Sequence, residues 1–381
     1  MKDRKAVARC GSRSAVRLAD LALLVRAPAA LSVPGDVIAG AAAAGRPLGA
    51  RTFSVIGSSV CLYWAGMALN DYADAAVDSV ERPERPVPSG RVPRRTALAV
   101  AGGLTAAGIG LAAVAGGRRS VGVAVPLAGL VWAYDLKLKS TAAGGFAMAG
   151  ARMLDVLAGA VVPGPGAASV GTALRGAALP AALVGAHTGT LMALSRHEVG
   201  GAPVRVPVRT LGVSVATVLA AALPVAWADY GRAAEGCVSS AAPSGLVAQF
   251  PAPLEGVAVA ARSKKGRTAL TAASEKVRTA LTADASEKVR TGLTATASEK
   301  LRTAVTVAGA LAYLGTYGTA QARAVQEPSA GNVRRAVGAG IVGLVPLQAA
   351  LTARGGAPVV GAVLGLVHPL ARRLARRISP T

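Results

Sequence analysis

Long apolar runs alternate with short polar joints along nearly the whole chain. Runs near 20–44, 52–72, 96–116, 119–134, 142–163, 172–195, 207–229, 303–322, 333–352 and 356–371 approach or reach the roughly 20 residues that cross a hydrocarbon core as helix. The pattern predicts an all-α, polytopic membrane bundle of about nine or ten transmembrane helices. The uncertainty lies in the last run, which is short and ends in "ARRLARRISPT", so that it reads either as a span or as a surface helix. Residues 231–302 break the pattern. There "RTALTAASEKV", "RTALTADASEKV" and "RTGLTATASEKL" repeat from Arg267, Arg278 and Arg290, with a fourth start at Arg302. These units bury too little to stack as a solenoid and read as a low-complexity loop. The division that follows is a basic N-terminus over 1–19, helices 1–7 with the chemistry over 20–230, an extracytoplasmic loop over 231–302, and C-terminal helices with a basic tail over 303–381.

Composition agrees with the pattern. Of the 381 residues 52% are apolar and only 16% charged, against roughly 25% charged in ordinary soluble domains. The net charge of +23 would suit a nucleic-acid binder, but the basic residues sit mostly between the apolar runs and at the two ends, so no nucleic acid is expected as a partner. The joints at 79–95, 135–141 and 196–206 carry more Arg and Lys than those between them, which puts the N-terminus, and the end of the second span, on the cytoplasmic side. Cys10, Cys61 and Cys237 have no metal or disulfide spacing. The Ala-, Arg- and Gly-rich usage suggests a GC-rich genome and a bacterial cell membrane.

Chemistry concentrates at the end of the second span, in "MALNDYADAAVDSVERPERPVPSGR" (67–91). On one continuous helix Asn70, Asp71, Asp74 and Asp78 fall on a single arc about 100° wide. Hard oxygen ligands clustered in this way suit Mg²⁺, which takes one or two carboxylates and completes its shell with substrate phosphates. A polar helix end at the membrane surface is the alternative. Arg82 and Arg85 follow within a stiff Arg-Pro turn, where guanidinium groups suit phosphate; Arg94 and Arg95 read as anchors on the inner side. Further on, "WAYDLKLKST" places Tyr134, Lys137 and Lys139 at the end of the fourth span, where such residues also serve as interfacial anchors. Arg152 and Asp155 lie three apart in the fifth span, either as a local ion pair or with Arg152 facing a polar cavity. His187 and Gln348 are weaker candidates for the same interior.

The acidic stretch resembles the first aspartate-rich motif of the UbiA superfamily of intramembrane prenyltransferases, N-D-x-x-D-x-x-x-D at the end of the second helix followed by R-P-x-x-x-G. Asn70, Asp71, Asp74, Asp78, Arg85, Pro86 and Gly90 match in place. The resemblance implies a Mg²⁺-dependent transfer of a prenyl group from an isoprenyl diphosphate to an aromatic or other electron-rich lipophilic acceptor, with membrane lipid around it. It implies metal ligation by Asn70, Asp71, Asp74 and Asp78, diphosphate contacts from Arg82, Arg85 and Arg152, and a catalytic set of Asp71, Asp74, Tyr134, Lys137, Lys139 and Glu198. The family has a second acidic motif after the sixth helix. Here that place reads "LMALSRHEVGG", and Glu198 alone remains as carboxylate and second metal ligand. This departure keeps a second reading open, a non-catalytic UbiA-like protein that binds or carries a lipid-linked metabolite. An ion-coupled transporter would need more paired charges inside the spans.

Overall fold

The computed structural model describes residues 16–164, 169–222, 297–378 and scattered positions between 268 and 279. The N-terminal basic segment and most of the repeat-bearing loop therefore lie outside the described residues. Every regular element among those described is helical.

Helix α1 (Leu18–Leu24) leads through a 3-10 turn (Ala27–Ser32) into α2 (Val33–Ala43). Then come α3 (Ala50–Ala73), the short α4 (Ala75–Glu81), α5 (Arg94–Gly116) and α6 (Arg118–Ala133), the last prolonged by a π-turn over Tyr134–Leu138. Helices α7 (Gly144–Ala160), α8 (Val170–Ser195) and α9 (Arg205–Ala222) complete the first part. Beyond the loop lie α10 (Ala297–Tyr313), a π-turn (Leu314–Gly318), α11 (Thr319–Gln326), α12 (Ala330–Arg354) and α13 (Pro358–Ile378). Among the described residues six helices are long and apolar enough to cross a membrane: Ala50–Ala73, Arg94–Gly116, Arg118–Leu138, Val170–Ser195, Arg205–Ala222 and Ala330–Arg354. Large apolar side chains such as Phe53, Val114, Phe146, Val359 and Leu366 stand exposed on the outside of the bundle, as lipid-facing residues do. The chain is a multi-pass membrane protein.

The first predicted span, 20–44, is not one helix. Arg26 adopts a left-handed backbone, φ 47°, the single positive-φ residue other than glycine among those described. Pro28 and Pro34, each in the first turn of the element that follows, cannot donate the backbone hydrogen bonds of a continuous helix. The break turns the Arg26 side chain toward the end of α3.

Small residues let α2 and α7 come to backbone contact. A Cβ on Gly40 would sit 1.7 Å from the Val156 carbonyl oxygen, and one on Gly159 would sit 1.9 Å from that of Val37. In lipid, where apolar burial gives little net gain, close packing of this kind holds helices together. The crossing decides which charges meet. Arg152 on α7 and Asp155 on the same helix have matching spacing, yet Arg152 pairs with Asp36 of α2, at 2.8 Å. The expected Arg152–Asp155 pair is thus replaced by one between helices, because the glycine crossing brings Asp36 closer to the guanidinium.

Long basic side chains close several helix ends. Arg46 donates to the Ala160 carbonyl at 3.0 Å, and Arg354 to those of Ala220 and Ala221 at 3.0 and 2.9 Å. Each neutralises exposed carbonyl oxygens at a C-terminus. In the second half, His187 meets Tyr313 at 3.0 Å and packs edge-on against Tyr313 and Tyr317. The Tyr313 hydroxyl donates to Ser214 at 3.2 Å. His187 is thereby fixed in a buried aromatic network that joins α8, α9 and α10.

Candidate functional site

The acidic stretch does not continue as one helix. Helix α3 ends at Ala73, and Asp74, with φ −86° and ψ 4°, is both its C-cap and the N-cap of α4. The i to i−4 bonds nevertheless run on through the break: Asp74 N to Asn70 O, Asp78 N to Asp74 O and Arg82 N to Asp78 O, at 2.8, 2.8 and 2.9 Å. The helical register of the four residues therefore survives the break.

Each carboxylate then finds at least one cation. Asp71, 2% exposed, takes Arg26 at 3.1 Å and Arg85 at 3.4 Å. Asp78 takes Arg85 at 2.7 Å and Arg82 at 3.6 Å. Asp74 is bound by Lys139 from the π-turn region after α6. The single Arg85 guanidinium therefore bridges the two buried acids, which offsets the repulsion expected between them. Asn70 donates from its amide nitrogen to Asp135 at 3.4 Å, and its oxygen accepts from Arg26 at 3.5 Å.

Of the two lysines, Lys139 reaches Asp74, whereas Lys137 is exposed. The π-turn explains the register, because one extra residue per turn rotates Asp135 and Lys139 toward α3. Tyr134 lies within electrostatic reach of Asp74, Asp135 and Arg196. Arg94 stacks over Tyr72 with its guanidinium 4.4 Å from the ring centre and bonds the Tyr72 carbonyl at 3.0 Å, an anchor as the sequence suggests.

The second motif closes the rim from the other side. The turn after α8 is tied down by Arg196 to the Thr141 carbonyl and by Ala202 N to Pro328 O at 3.0 Å. Glu198 faces Arg334 and Arg82, and partial burial raises its carboxyl above the ordinary range against the pull of both arginines. Arg82, paired with Asp78 of the first motif, thus also acts on Glu198 through space. Arg152 is elsewhere: it is held deeper, by Asp36 and by the Ser32 carbonyl at 3.2 Å.

Sequence reasoning missed Arg26 and Asp135. Arg26 carried no signal, since only the break in the first span brings it to Asp71. Asp135 stood inside the quoted "WAYDLKLKST", and its signal was a carboxylate next to the helix-ending tyrosine.

Among the described residues no group of three or more His, Cys, Asp or Glu side chains converges as a ready-made metal cage. Mg²⁺ does not require one, since it keeps waters and binds through one or two carboxylates plus substrate phosphates. Asp71, Asp74, Asp78 and Asn70 offer hard oxygen donors, which fit that ion.

A multi-pass helical membrane bundle whose first long helix, α3, ends in acids paired with guanidinium groups defines the class of protein that the fold and the rim describe. Residues 33–259, more than half of the chain, match the UbiA prenyltransferase family, and the chain belongs to it. Among curated relatives, the digeranylgeranylglyceryl phosphate synthase of Methanopyrus kandleri is 42% identical over 109 residues, 29% of this chain and 38% of that one. The synthase of the same name from Ignicoccus hospitalis is 39% identical over 120 residues, 31% and 38% of the two chains. The aligned stretches thus span well under half the length of these relatives. Both organisms are archaeal, so the bacterial source suggested by composition finds no support in them. The solved apo structure of a UbiA homolog from Aeropyrum pernix K1 overlays with a TM-score of 0.43 at 17% identity, covering 82% of this chain and 96% of that one.

Proposed function

We propose that the chain is an intramembrane prenyltransferase that moves a prenyl group from an isoprenyl diphosphate to a lipophilic acceptor, with its reaction centre at the cytoplasmic end of α3. One observation carries this reading. Asp71, Asp74 and Asp78 are interleaved with Arg26, Arg85 and Lys139 at the mouth of an apolar bundle. Carboxylates and cations now neutralise one another. A diphosphate carries the charge that these cations give to the carboxylates, so it can take Arg26, Arg85 and Lys139 over and leave the acids facing a metal.

Asp71, Asp74 and Asp78, with Asn70, would hold Mg²⁺, which when bound supplies Lewis-acid neutralisation of the departing pyrophosphate. Arg85 and Lys139 place fixed positive charge where negative charge grows as the C1–O bond breaks. Arg82 and Glu198 frame the opposite side of the mouth. Tyr134, beside Asp74, borders the reacting end. The apolar spans exclude water, which would otherwise capture the allylic cation before the acceptor does.

The reduced second motif favours one rival reading, a family member that binds a lipid-linked metabolite without transfer. Purified protein in nanodiscs with labelled geranylgeranyl diphosphate, a lipid extract as acceptor, and Mg²⁺ or EDTA separates the two. Labelled product that needs Mg²⁺, and is lost in Asp71→Ala and Asp74→Ala, is the expected outcome. Diphosphate binding without pyrophosphate release would establish the rival. Full turnover in both variants would end the assignment of the rim.

A further inference from the structure

A second polar cluster lies inside the bundle, away from the rim. Asp36, fully buried, is closed on both sides: Gln348 of α12 donates to Oδ1 at 2.7 Å and Arg152 of α7 lies 2.8 Å from Oδ2. The Ser32 carbonyl accepts from both Gln348, at 2.7 Å, and Arg152, at 3.2 Å. Arg152 thus gives its hydrogen bonds to Asp36 and to the Ser32 carbonyl. Asp155, one turn further along α7, feels that guanidinium only through space and has the Ser59 hydroxyl as its neighbouring donor. Its Oδ1 has no hydrogen-bond partner although the residue is 6% exposed. A buried carboxylate oxygen without a donor is costly. Here it sits in a family of proteins that must admit a second substrate.

Placement along α3 assigns the cluster to that second substrate. Ser59, Tyr63, Met67 and Asn70 succeed one another on one face of α3, at spacings of four, four and three. Met67 and Asn70 meet Arg26 at the rim. Tyr63 lies between Ser59 and Met67 on that face, within electrostatic reach of both Arg26 and Arg152. Ser59 is eleven residues from Asn70, about 16 Å along the helix. That separation is too long for Asp155 to share in holding the diphosphate, and it leaves room between the centres for the reacting carbon and an acceptor head.

We propose that Asp155, with the Arg152–Asp36 pair behind it, binds the head of the acceptor, and that this head is a neutral hydroxyl-bearing group. The cluster offers Asp155 Oδ1 as an open acceptor, while its guanidinium is already bonded to Asp36 and the Ser32 carbonyl. A hydroxyl can donate to that oxygen, whereas a carboxylate or phosphate would have to displace Asp36 from Arg152. This inference rests on the prenyltransferase reading, and its test is chosen so that the two fail separately.

The probes are 1-O-octadecylglycerol, its 3-phosphate and 4-hydroxybenzoate, offered to wild type and to Asp155→Asn in nanodiscs. Binding is measured by calorimetry without prenyl donor, and transfer with labelled geranylgeranyl diphosphate. Asparagine keeps the size and removes the charge, and equal melting temperatures confirm an intact bundle. Wild type should bind the neutral glycerol ether in preference to the two anions. Asp155→Asn should weaken that binding about tenfold, as for a lost hydrogen bond to a charged group, and raise the acceptor KM while leaving the KM for geranylgeranyl diphosphate unchanged. Equal affinity of both proteins for the ether, stronger binding of either anion, or a parallel shift of both KM values would overturn the inference while the prenyltransferase reading stands. Asp155-dependent binding of the ether without any transfer would sustain the acceptor site and defeat the enzymatic reading.

Discussion

The rim at the end of α3 and the cluster around Asp36 are built from the same residue types, and they behave as opposites. At the rim, the side chains of Arg26, Arg82, Arg85 and Lys139 are between 19% and 52% exposed and lean on acids from their own or neighbouring segments. Such pairs can open, because water stands ready to solvate whichever partner is released. Inside, Asp36, Gln348 and Arg152 close on one another and on a backbone carbonyl, away from water. A pair of this kind cannot open cheaply, because the partner left behind is stranded in a low dielectric. The contrast separates charges that are exchanged during work from charges that hold position.

The strongest way to break that contrast is at the inner pair. Arg152→Met strands Asp36 and is expected to cost about 3 kcal/mol of stability, read as a lowered unfolding midpoint in detergent. Arg152→Met with Asp36→Asn should regain part of that loss, because Asp36 is then no longer a stranded charge, while Asp155 still lacks the guanidinium. If the single variant melts like wild type, the inner pair is as loose as the rim.

The rim predicts loss of turnover rather than of fold. Lys139→Ala should lower transfer about tenfold or more, as expected when one fixed charge is withdrawn from a departing anion, with little change in melting temperature. Lys137→Ala, two residues away and exposed, should stay within about twofold, as a solvated charge does. Equal losses from both would show that the π-turn does not select between them.

The smallest effect belongs to Glu198. Burial raises its carboxyl, with Arg334 and Arg82 pulling the other way. A raised folded value means that the folded protein holds this proton more tightly than the unfolded chain. The corresponding stability is complete below the ordinary carboxylate range and is lost as pH rises through the folded value. Glu198→Gln should therefore flatten the acid end of the stability curve slightly, seen as a smaller melting-temperature difference between about pH 4 and pH 7. An unchanged difference would place Glu198 fully in solvent.

The helical membrane class was written in the length and spacing of the apolar runs, which answer to the thickness of a bilayer and to nothing further along the chain. The acids and Arg85 were legible too, because their spacing is local and survives the break at Asp74. The pairing of those charges was not. Arg26 reaches Asp71 only because prolines interrupt the first span, and Lys139 rather than Lys137 reaches Asp74 only because a π-turn shifts the register after α6. Arg152 prefers Asp36 to its own neighbour Asp155 because Gly40 and Gly159 allow two backbones to touch. Sequence fixes what lies within a turn or two of helix, where geometry is periodic. Which charge meets which across helices depends on how closely those helices approach, and that is set by packing among residues far apart in the chain.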